Sequence, residues 1–321
     1  MLTCKPRCPQ VDHESEGLTF ELEGDLTSHA REANMKEAVL GIIGGSGLYD
    51  IPGVTLLAKK KLTTPFGDPS DEISVFDIQG IPVAFLPRHG IGHRINPTHV
   101  NARANIFALK MLGVQKIISV SAVGSLRESI HPRDFVIPDQ IIDRTKCRVN
   151  SFFEPYAVHT LFAHPFCASL SRLLGEQARE TGATVHDGGT YVCMEGPLFS
   201  TKAESDMHRG WGASIIGMTA LPEAKLAREA EICYSTIALV TDYDVWKEDE
   251  IVSIGAILEN IKANTDRVKR LILSIVSQID FDRECECHQA LKYAFITDPA
   301  LIPVSVRRDW KPLLEKYVSF E

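Results

Sequence analysis

The stretch that decides the fold is Cys233-Tyr234-Ser235-Thr236-Ile237-Ala238-Leu239-Val240, which continues directly into Thr241-Asp242-Tyr243-Asp244. A continuous apolar run of this length, with Thr and Ile among its residues, is typical of a strand buried on both faces of a sheet. Open α/β sheets bind ligands at the carboxyl ends of their strands, so we expect Asp242 and Asp244 to face a site. Alternation along a strand puts residues two apart on the same side, which predicts that both carboxyls meet one ligand edge.

The two carboxyls suit a particular kind of ligand edge. A 6-aminopurine carries an acceptor, N7, beside a donor, the 6-amino group, and a pair of carboxyls can serve both. The alternative is that either aspartate caps a helix, because Asp is a favoured N-cap residue and the charged stretch Lys247-Glu248-Asp249-Glu250 follows. From these residues alone both interpretations stay open.

Composition narrows the class of protein. The chain has 321 residues, 44% of them hydrophobic and 24% charged, which is close to the globular average. A net charge of −8 without a long basic cluster argues against nucleic acid as the main partner. No segment is apolar over the length of a bilayer, and the N-terminus lacks the apolar stretch of a signal peptide. We therefore expect a cytoplasmic protein that binds no membrane.

The order of apolar and amphipathic segments predicts the architecture. Strands are predicted at 38–43, 81–86, 116–121, 135–141, 189–194, 213–217 and 233–240. Helices are predicted at 97–111, 165–181, 200–211, 222–230 and 254–278. Alternating strands and helices predict an α/β fold of one domain in three layers, with a mixed, mostly parallel central β-sheet flanked by helices.

Three regions are expected along the chain. Residues 1–35 are polar and aperiodic, which predicts a disordered or non-conforming extension before the domain. Residues 36–281 contain the predicted domain without an internal linker. Residues 282–321 form an appendage whose amphipathic stretch at 310–318 predicts a short helical segment or an oligomer contact.

The eight cysteines are scattered, and we predict no metal site. Most of them are expected to be small buried hydrophobic residues. The pair Cys4 and Cys8 and the tract Cys285-Glu286-Cys287-His288 each lack a second ligand pair at zinc-finger spacing. Nothing in the sequence supports a disulfide or redox role for Cys285 and Cys287.

A glycine-rich loop follows the first predicted strand as Gly44-Gly45-Ser46-Gly47. Its backbone amides and the Ser46 hydroxyl can approach an anion. The dinucleotide fingerprint and the Gly-Lys-Ser/Thr of a nucleotide-binding loop are both missing. An anion site and a plain tight turn remain equally open.

Two further strand ends carry donors for an anion. Pro87-Arg88-His89-Gly90 follows the second predicted strand, where the guanidinium fork suits phosphate and the histidine can add a donor. A solvated arginine with a backbone-bonded histidine is the alternative. Ser121-Ala122-Val123-Gly124 ends the third predicted strand with a hydroxyl and small residues. Together the three ends suit a single inorganic phosphate.

Two turns supply residues for a planar base and a sugar. Phe199, just before a predicted helix, can stack on a base, although a buried aromatic at a helix start is nearly as common. Met218 can pack under a sugar, and Thr219 can hydrogen-bond a hydroxyl or a phosphate. A core methionine followed by a helix-capping threonine is the alternative.

These segments together resemble the 5′-methylthioadenosine phosphorylases of the trimeric purine nucleoside phosphorylase class, from about Val39 to about Ile279. The resemblance rests on motifs in fixed order: Gly41-Ile42-Ile43-Gly44-Gly45-Ser46-Gly47-Leu48, Thr64-Pro65-Phe66-Gly67, Arg88-His89-Gly90, Ser121-Ala122-Val123-Gly124-Ser125-Leu126, Glu195-Gly196-Pro197, Met218-Thr219 with Pro222-Glu223, and Thr241-Asp242-Tyr243-Asp244. It implies a nucleoside phosphorylase-like fold and a homo-oligomer, expected to be a trimer.

The resemblance also implies roles for single residues. Phosphate is expected to be held by Ser46, Arg88, His89, Ser121, Ala122 and Thr219. The base is expected to contact Phe199, Asp242 and Asp244, and the ribose to pack on Met218. An apolar 5′ pocket is expected from Ile254 and Ile257, with His159 reaching in from a neighbouring subunit.

The implied reaction is phosphorolysis of 5′-methylthioadenosine to adenine and 5-methylthioribose 1-phosphate, without metal or organic cofactor. Phosphate balances the cationic sugar and attacks its anomeric carbon, while Asp242 meets N7 of the leaving base and Asp244 accepts from the 6-amino group. A 6-oxo base would set acceptor against acceptor, at a cost of roughly 1–3 kcal/mol. The competing hypotheses are a 6-oxopurine nucleoside phosphorylase, a non-catalytic purine-binding module, a nucleoside hydrolase and, more distantly, a dinucleotide-dependent enzyme.

Overall fold

The structure is a computed structural model that describes residues 37–48, 51–247 and 254–320, with the side chains of Ser46 and Ala256 outside the description. The predicted extension at 1–35, and with it Cys4 and Cys8, lies outside the described residues. From Glu37 onward the described residues belong to one compact unit. This unit includes the region predicted as an appendage, and the division at 281 stays a prediction.

The secondary structure consists of one large sheet and the helices around it. The strands are β1 Leu40–Gly44, β2 Thr55–Lys60, β3 Ile73–Ile78, β4 Ile81–Pro87, β5 Lys116–Ser125, β6 Phe135–Ile137, β7 Gln140–Arg144, β8 Val185–Asp187, β9 Thr190–Met194, β10 Ile215–Gly217 and β11 Cys233–Asp242. The helices are α1 Ala102–Met111, α2 Ala168–Glu180, α3 Lys202–Gly210, α4 Ala220–Glu229, α5 Ile254–Val276, α6 Val304–Asp309 and α7 Lys311–Leu314.

The sheet branches at β5. At its start β5 lies between β1 and β11, and it is parallel to both. At its end Gly124 and Ser125 pair instead with β10, in antiparallel orientation, while β11 stays alongside. The main path runs β2-β3-β4-β1-β5-β10-β9-β7, with β11, β6 and β8 on the branch. The carboxyl ends of β1, β4, β5 and β11 therefore meet where the sheet divides, which is where α/β sheets bind ligands.

Helices cover both faces of this sheet. α1 and α4 pack with Phe107, Leu109 and Leu226 into the core on one face. α2 and α5 pack with Leu174, Val268 and Leu271 into the core on the other. The buried pattern of β11 is continuous from Cys233 to Thr241, as a strand between two helical layers requires. The predicted class, three-layer α/β with a mixed and mostly parallel sheet, is confirmed.

Some predicted elements were wrong in detail. The strand predicted at 135–141 is two strands, β6 and β7, which pair with different neighbours. Pro138 lies between them and cannot donate to a ladder, so it separates the two pairings. The helix predicted at 97–111 begins only at Ala102, where the Asn101 side chain accepts from Ala104 N as an N-cap. The strands β2, β3 and β8 were not predicted.

The C-terminal residues pack on the domain through Trp310. Its ring contacts the rings of Phe66, Phe153 and Tyr156, with centroid separations of 6.2, 5.7 and 5.9 Å. α7 follows directly and buries Leu313 and Leu314. The predicted amphipathic stretch at 310–318 thus covers an apolar surface of the same chain. Among the described helices, none combines the length and the apolar character needed to cross a bilayer.

Candidate active site

A cavity of about 560 Å³ opens at the branch of the sheet. Ten of the predicted site residues line it: Arg88, His89, Ser121, Ala122, Phe199, Met218, Thr219, Asp242, Asp244 and Ile257. They come from segments up to 169 positions apart in the chain (257 − 88 = 169). The topology, rather than local sequence, therefore brings them together.

Three predicted residues are not placed in the cavity. Ile254 is exposed and absent from its lining, whereas Ile257 belongs to it. His159 is exposed and likewise absent from the lining. The backbone of Ser46 lies in a short 3₁₀ turn after β1, and its side chain is outside the described residues. Roles for these three stay predictions.

At one end of the cavity a buried arginine is fixed by a buried glutamate. Arg88 donates from Nε to Glu223 Oε1 at 2.5 Å and from Nη2 to Oε2 at 3.1 Å. Its Nη1 donates to the Val120 carbonyl at 2.9 Å, and Nη2 also reaches Ser119 Oγ at 2.7 Å. A guanidinium has five N–H groups, so these contacts fix its plane and leave Nη1 one hydrogen without an acceptor among the described side chains and carbonyls.

The charge of this arginine is stable because of Glu223. Burial lowers the pKa of Arg88, but the charge and hydrogen bonds of Glu223 outweigh burial and raise the pKa above its usual value. Ser119 and Tyr234 both donate to Glu223 Oε2, at 3.2 and 3.0 Å. Glu223 stands in one of the motifs of the sequence, but its pairing with Arg88 was not predicted.

His89 lies beside Arg88 as a neutral ring. Its Nδ1 is 2.9 Å from the Ile95 carbonyl, which can only accept, so Nδ1 carries the proton. Burial, reinforced by the charges of Arg88 and His93, lowers the pKa of His89 to about 4. In the neutral ring Nε2 is then an acceptor. His89 was expected to add a donor for an anion; its Nδ1 donates to the Ile95 carbonyl instead, as in the backbone-bonded alternative.

Hydroxyl groups complete this end of the cavity. Ser121 Oγ contacts Thr219 Oγ1 and lies 3.4 Å from the Tyr191 hydroxyl. A Cβ at Gly217 would lie 2.1 Å from Tyr191 Oη, so only glycine fits at this position of β10, beside the phenol. The Thr219 side chain makes no cap hydrogen bond to α4, although Thr219 stands at the N-cap position. Its hydroxyl is therefore directed toward Ser121 and the cavity rather than toward the helix.

At the other end of the cavity lie Asp242 and Asp244, but not for the reason predicted. β11 ends at Asp242, its register against β5 shifts between Val240 and Asp242, and Asp244 has a φ of 55°. Simple alternation therefore does not apply. Instead, the Asp244 amide donates to Asp242 Oδ1 at 2.8 Å and turns the chain back toward the cavity.

The helix-cap alternative finds no support in the described part of the chain. Residues 244–246 form a turn, and the next described helix, α5, begins at Ile254. Gly124 of β5 faces the turn, and a Cβ there would lie 3.0 Å from Asp242 Oδ1 and 3.3 Å from Asp244 Cβ. The absence of a side chain at Gly124 leaves room for both carboxyls beside β5.

The electrostatic surroundings favour protonation of both carboxyls. Burial raises the pKa of Asp242, and the neighbouring Asp244 raises it further, against hydrogen bonds from Thr241 and the Asp244 amide. Burial also raises the pKa of Asp244, against the hydroxyls of Ser205 and Ser200. The pKa values of both carboxyls at this end of the cavity therefore lie above the usual value.

One oxygen of the Asp244 carboxyl is buried away from the cavity. Asp244 Oδ2 is buried and has no hydrogen-bond partner within the described residues. The Ser205 hydroxyl and both ring nitrogens of His208, which are close enough to affect the pKa of Asp244, also lack partners there. An atom that solvent cannot reach does not face the open cavity, so Oδ2 is directed toward Ser205 and His208 rather than toward a ligand. Sequence reasoning missed Ser205 and His208, which show no motif.

Phe199 and Met218 also belong to the lining of the cavity. Phe199 is 56% exposed and lines the cavity rather than the core, which removes the buried-aromatic alternative. Arg148, missed by the sequence analysis, fixes the neighbouring loops: Nη1 donates to the Met218 carbonyl and Nη2 to the Glu195 carbonyl, at 2.6 and 2.5 Å. The loops that carry Met218 and Glu195 are thereby joined through one guanidinium.

Comparison with known proteins agrees with this geometry. The family model described as Phosphorylase superfamily matches residues 39–277. The S-methyl-5′-thioadenosine phosphorylase of Geobacter sulfurreducens is 54% identical over 285 residues, which cover 88% of this chain and 100% of the relative. That of Chloroflexus aurantiacus is 53% identical over 288 residues, with 89% and 100% covered.

Solved structures are similar over the same region. A methylthioadenosine phosphorylase sourced from an Antarctic soil metagenomic library has a TM-score of 0.83 at 45% identity and covers 87% of this chain and 100% of its own. A methylthioadenosine phosphorylase from Schistosoma mansoni, in complex with adenine, has a TM-score of 0.76 at 36% identity, with 81% and 99% covered.

Proposed function

Because the chain belongs to the phosphorylase superfamily and cleaves 5′-methylthioadenosine with inorganic phosphate, we propose that the two ends of its cavity divide this reaction between them. The end with Arg88 takes the phosphate, and the end with Asp242 and Asp244 takes the adenine. The products are adenine and 5-methylthioribose 1-phosphate. Phosphate is a co-substrate in this proposal, and no organic cofactor takes part.

The phosphate end combines one fixed cation with hydroxyls and a neutral histidine. The free Nη1 hydrogen of Arg88 supplies a charge-assisted donor, and Ser121 and Thr219 supply hydroxyl donors. Neutral His89 accepts at Nε2 from the P–OH of monohydrogen phosphate, since its Nδ1 hydrogen is used by Ile95. Ser46 and the backbone at Ala122 are proposed to complete the shell.

The observation that carries the base assignment is that Asp242 and Asp244 lie together in the lining of one cavity. A 6-amino group would donate to the Asp244 carboxyl. Asp242, whose pKa is raised, would hold a proton and deliver it to N7. A 6-oxo base would leave the Asp244 carboxyl without that donor, and such a loss costs about 1–3 kcal/mol. This disfavours the 6-oxopurine alternative.

In the proposed reaction the glycosidic bond breaks and its electron pair goes to the base. A phosphate oxygen then bonds to the anomeric carbon from the opposite face of the sugar. The anion stabilises the positive charge that develops on the ribose, and the proton from Asp242 neutralises the leaving adenine. Phe199 stacks on the base and Met218 packs against the sugar. Asp244 is a positioning and selectivity residue in this scheme.

The 5′ end of the substrate is proposed to lie toward Ile257, with His159 contributed by a neighbouring subunit of a homotrimer. His159 is exposed, and its backbone amide donates to the Ala294 carbonyl at 2.8 Å. Leu161, two residues after His159, and Ile296, two residues after Ala294, are also exposed. An exposed apolar surface beside a predicted substrate residue suits a subunit interface. A cytoplasmic location stays part of this proposal.

Binding of free bases tests the assignment without turnover. Calorimetric titration in saturating phosphate is expected to give a dissociation constant for adenine at least about tenfold below that for hypoxanthine. Asp244→Asn is expected to narrow that ratio, because its amide can donate to a 6-oxo group. Equal affinities in the wild type would contradict the base assignment. Light scattering of the same sample checks for the trimer.

A further inference from the structure

Four cysteine sulfurs meet at the start of β11, at the opposite end of this strand from Asp242. The Sγ atoms of Cys167, Cys233, Cys285 and Cys287 all lie within 4.8 Å of one another. Cys167 directly precedes α2, Cys233 is the first residue of β11, and the other two lie in the C-terminal region. Their positions in sequence are unrelated to the usual paired spacing of zinc ligands, so the sequence analysis assigned no metal site.

We propose that these four cysteines bind a structural zinc ion. In a tetrahedral site with Zn–S bonds of about 2.3 Å, the sulfurs lie about 3.8 Å apart. Cys167 Sγ and Cys285 Sγ are 3.7 Å apart. With all pairs within 4.8 Å, the sulfurs need to move by no more than about 1 Å to reach that geometry.

The surroundings indicate a closed site rather than a catalytic one. Cys167, Cys233 and Cys287 are buried, and Cys285 is partly buried. The first three belong to the core that α2 and α5 form on this face of the sheet. Four protein ligands leave no position for water or substrate, which is the pattern of zinc sites that stabilise folds. Zinc displaces the four thiol protons on binding.

A lysine and a histidine beside the cluster can support the thiolates of a zinc site. Buried Lys116 pairs with Cys233 in the parallel register of β5 and β11. His288, whose Nε2 is 3.5 Å from Cys233 Sγ, can support that sulfur with its ring N–H. Lys316 donates to the His288 carbonyl at 3.1 Å, but its charge is paired with buried Glu231 at 2.8 Å. Lys116 and His288 are thus the groups beside the cluster that favour thiolates.

Such an ion would fasten the C-terminal region to the start of β11. The same region supplies Phe295, which bridges to Val158, and Ala294, whose carbonyl accepts from His159. Zinc would therefore stabilise the segment that carries His159, although the ion itself lies at the end of β11 away from Asp242. The role is structural, and its loss should act first on thermal stability.

Metal content and thiol count decide the proposal together. Protein that is purified in reductant and washed with chelator is expected to contain about one zinc per chain, as measured by inductively coupled plasma mass spectrometry. After denaturation in chelator without reductant, all eight cysteines of the chain should react with a thiol reagent. Four unreactive cysteines would indicate two disulfides and overturn the proposal. Zinc-free protein that takes up none on addition would overturn it as well.

Variants locate the ion. Cys285→Ser and Cys287→Ser are each expected to lose the zinc and to lower Tm by several degrees. Cys147→Ser, at an exposed cysteine outside the cluster, is the matched control and should keep the zinc and the wild-type Tm. If the cluster variants fail to fold, cobalt exchange in the wild type replaces them. Thiolate-to-cobalt charge-transfer absorption is expected, and a spectrum typical of oxygen and nitrogen ligands would contradict a tetrathiolate site.

Discussion

Arg88 and Glu223 form a buried pair in which Nε and Nη2 of the guanidinium both donate to the carboxylate, at 2.5 and 3.1 Å. Their side chains are 4% and 2% exposed. A buried charge without its partner is costly, whereas a well-bonded pair can be held in place for a ligand. Glu223 thus orients the proposed phosphate-binding arginine from 135 positions away in the sequence.

Glu223→Gln is expected to weaken both the fold and phosphate binding. The amide keeps the shape but leaves the Arg88 charge uncompensated, which should lower the free energy of unfolding by about 3–5 kcal/mol. KM for phosphate should rise about tenfold or more, because the guanidinium loses its fixed plane. Urea denaturation and phosphate-dependent kinetics measure the two effects.

Glu229→Gln on the same helix is the control. Glu229 is also buried, but burial raises its pKa to about 7 and it bonds to Ser151 and Phe152 outside the cavity. Because it is already partly protonated at neutral pH, the amide should cost little, and phosphate KM should not change. If Glu223→Gln kept the wild-type KM for phosphate, the Arg88–Glu223 pair would have no part in phosphate binding.

Asp244→Asn is expected to shift selectivity between bases. The variant should lose about 10- to 100-fold in kcat/KM on adenosine. The Asn side chain has an NH2 donor in place of one carboxylate oxygen, and the 6-amino group is also a donor. Inosine, with the same sugar, should lose less or gain. Rates on the two nucleosides measure the ratio, and Asp143→Asn, outside the cavity on β7 where Asp143 binds Lys225, is the control. An unchanged ratio would remove Asp244 from base recognition.

The pH dependence of kcat should reveal Asp242 as an acid. Its folded-state pKa is raised, so the proton is present at lower pH and is lost as the pH rises through that pKa. We expect kcat to fall along this alkaline limb. Asp242→Asn should lower kcat by about 10²- to 10⁴-fold and abolish the limb. Persistence of the limb in the variant would assign the titration to another group.

Gly217→Ala should disturb the fold at the phosphate end. The new methyl group would lie 2.1 Å from the Tyr191 hydroxyl, and overpacking of this kind costs about 1–3 kcal/mol. Because Tyr191 lies beside Ser121, phosphate KM should rise together with the loss of stability. Gly210→Ala, at the end of α3 with no atom within 4 Å of the new methyl, is expected to be neutral or slightly stabilising. A neutral Gly217→Ala would contradict the tight contact.

The sequence predicted the parts of the site that strand ends create. An apolar run followed by polar residues signals a strand end, and parallel strands align their carboxyl ends, so Arg88, Ser121 and Asp242 could be expected near one another. The chemistry of Asp242 and Asp244 is also apparent from the sequence, because the residue type alone identifies two carboxyls. What the pattern gave wrongly was the reason for their proximity, because a register shift and a turn replace simple alternation at Asp244.

The missed features depend on contacts between distant segments. Glu223 and Arg148 bind partners that no local spacing identifies, and His208 lies close enough to Asp244 to lower its pKa. The four cysteines come together only because α2, β11 and the C-terminal region meet on one face of the sheet. The strands β2 and β3 carry mixed polar and apolar residues with partial exposure, which gives no continuous apolar run to recognise.

Adenine release from 5′-methylthioadenosine, followed with and without inorganic phosphate, tests the proposed division of the cavity most directly. We predict release only with phosphate and a sugar product phosphorylated at C1. The rate should saturate with phosphate, and Glu223→Gln should raise the phosphate concentration needed for saturation. Equal release without phosphate would mean that water is the nucleophile at the Arg88 end. No release by folded protein would contradict catalysis and leave a purine-binding module.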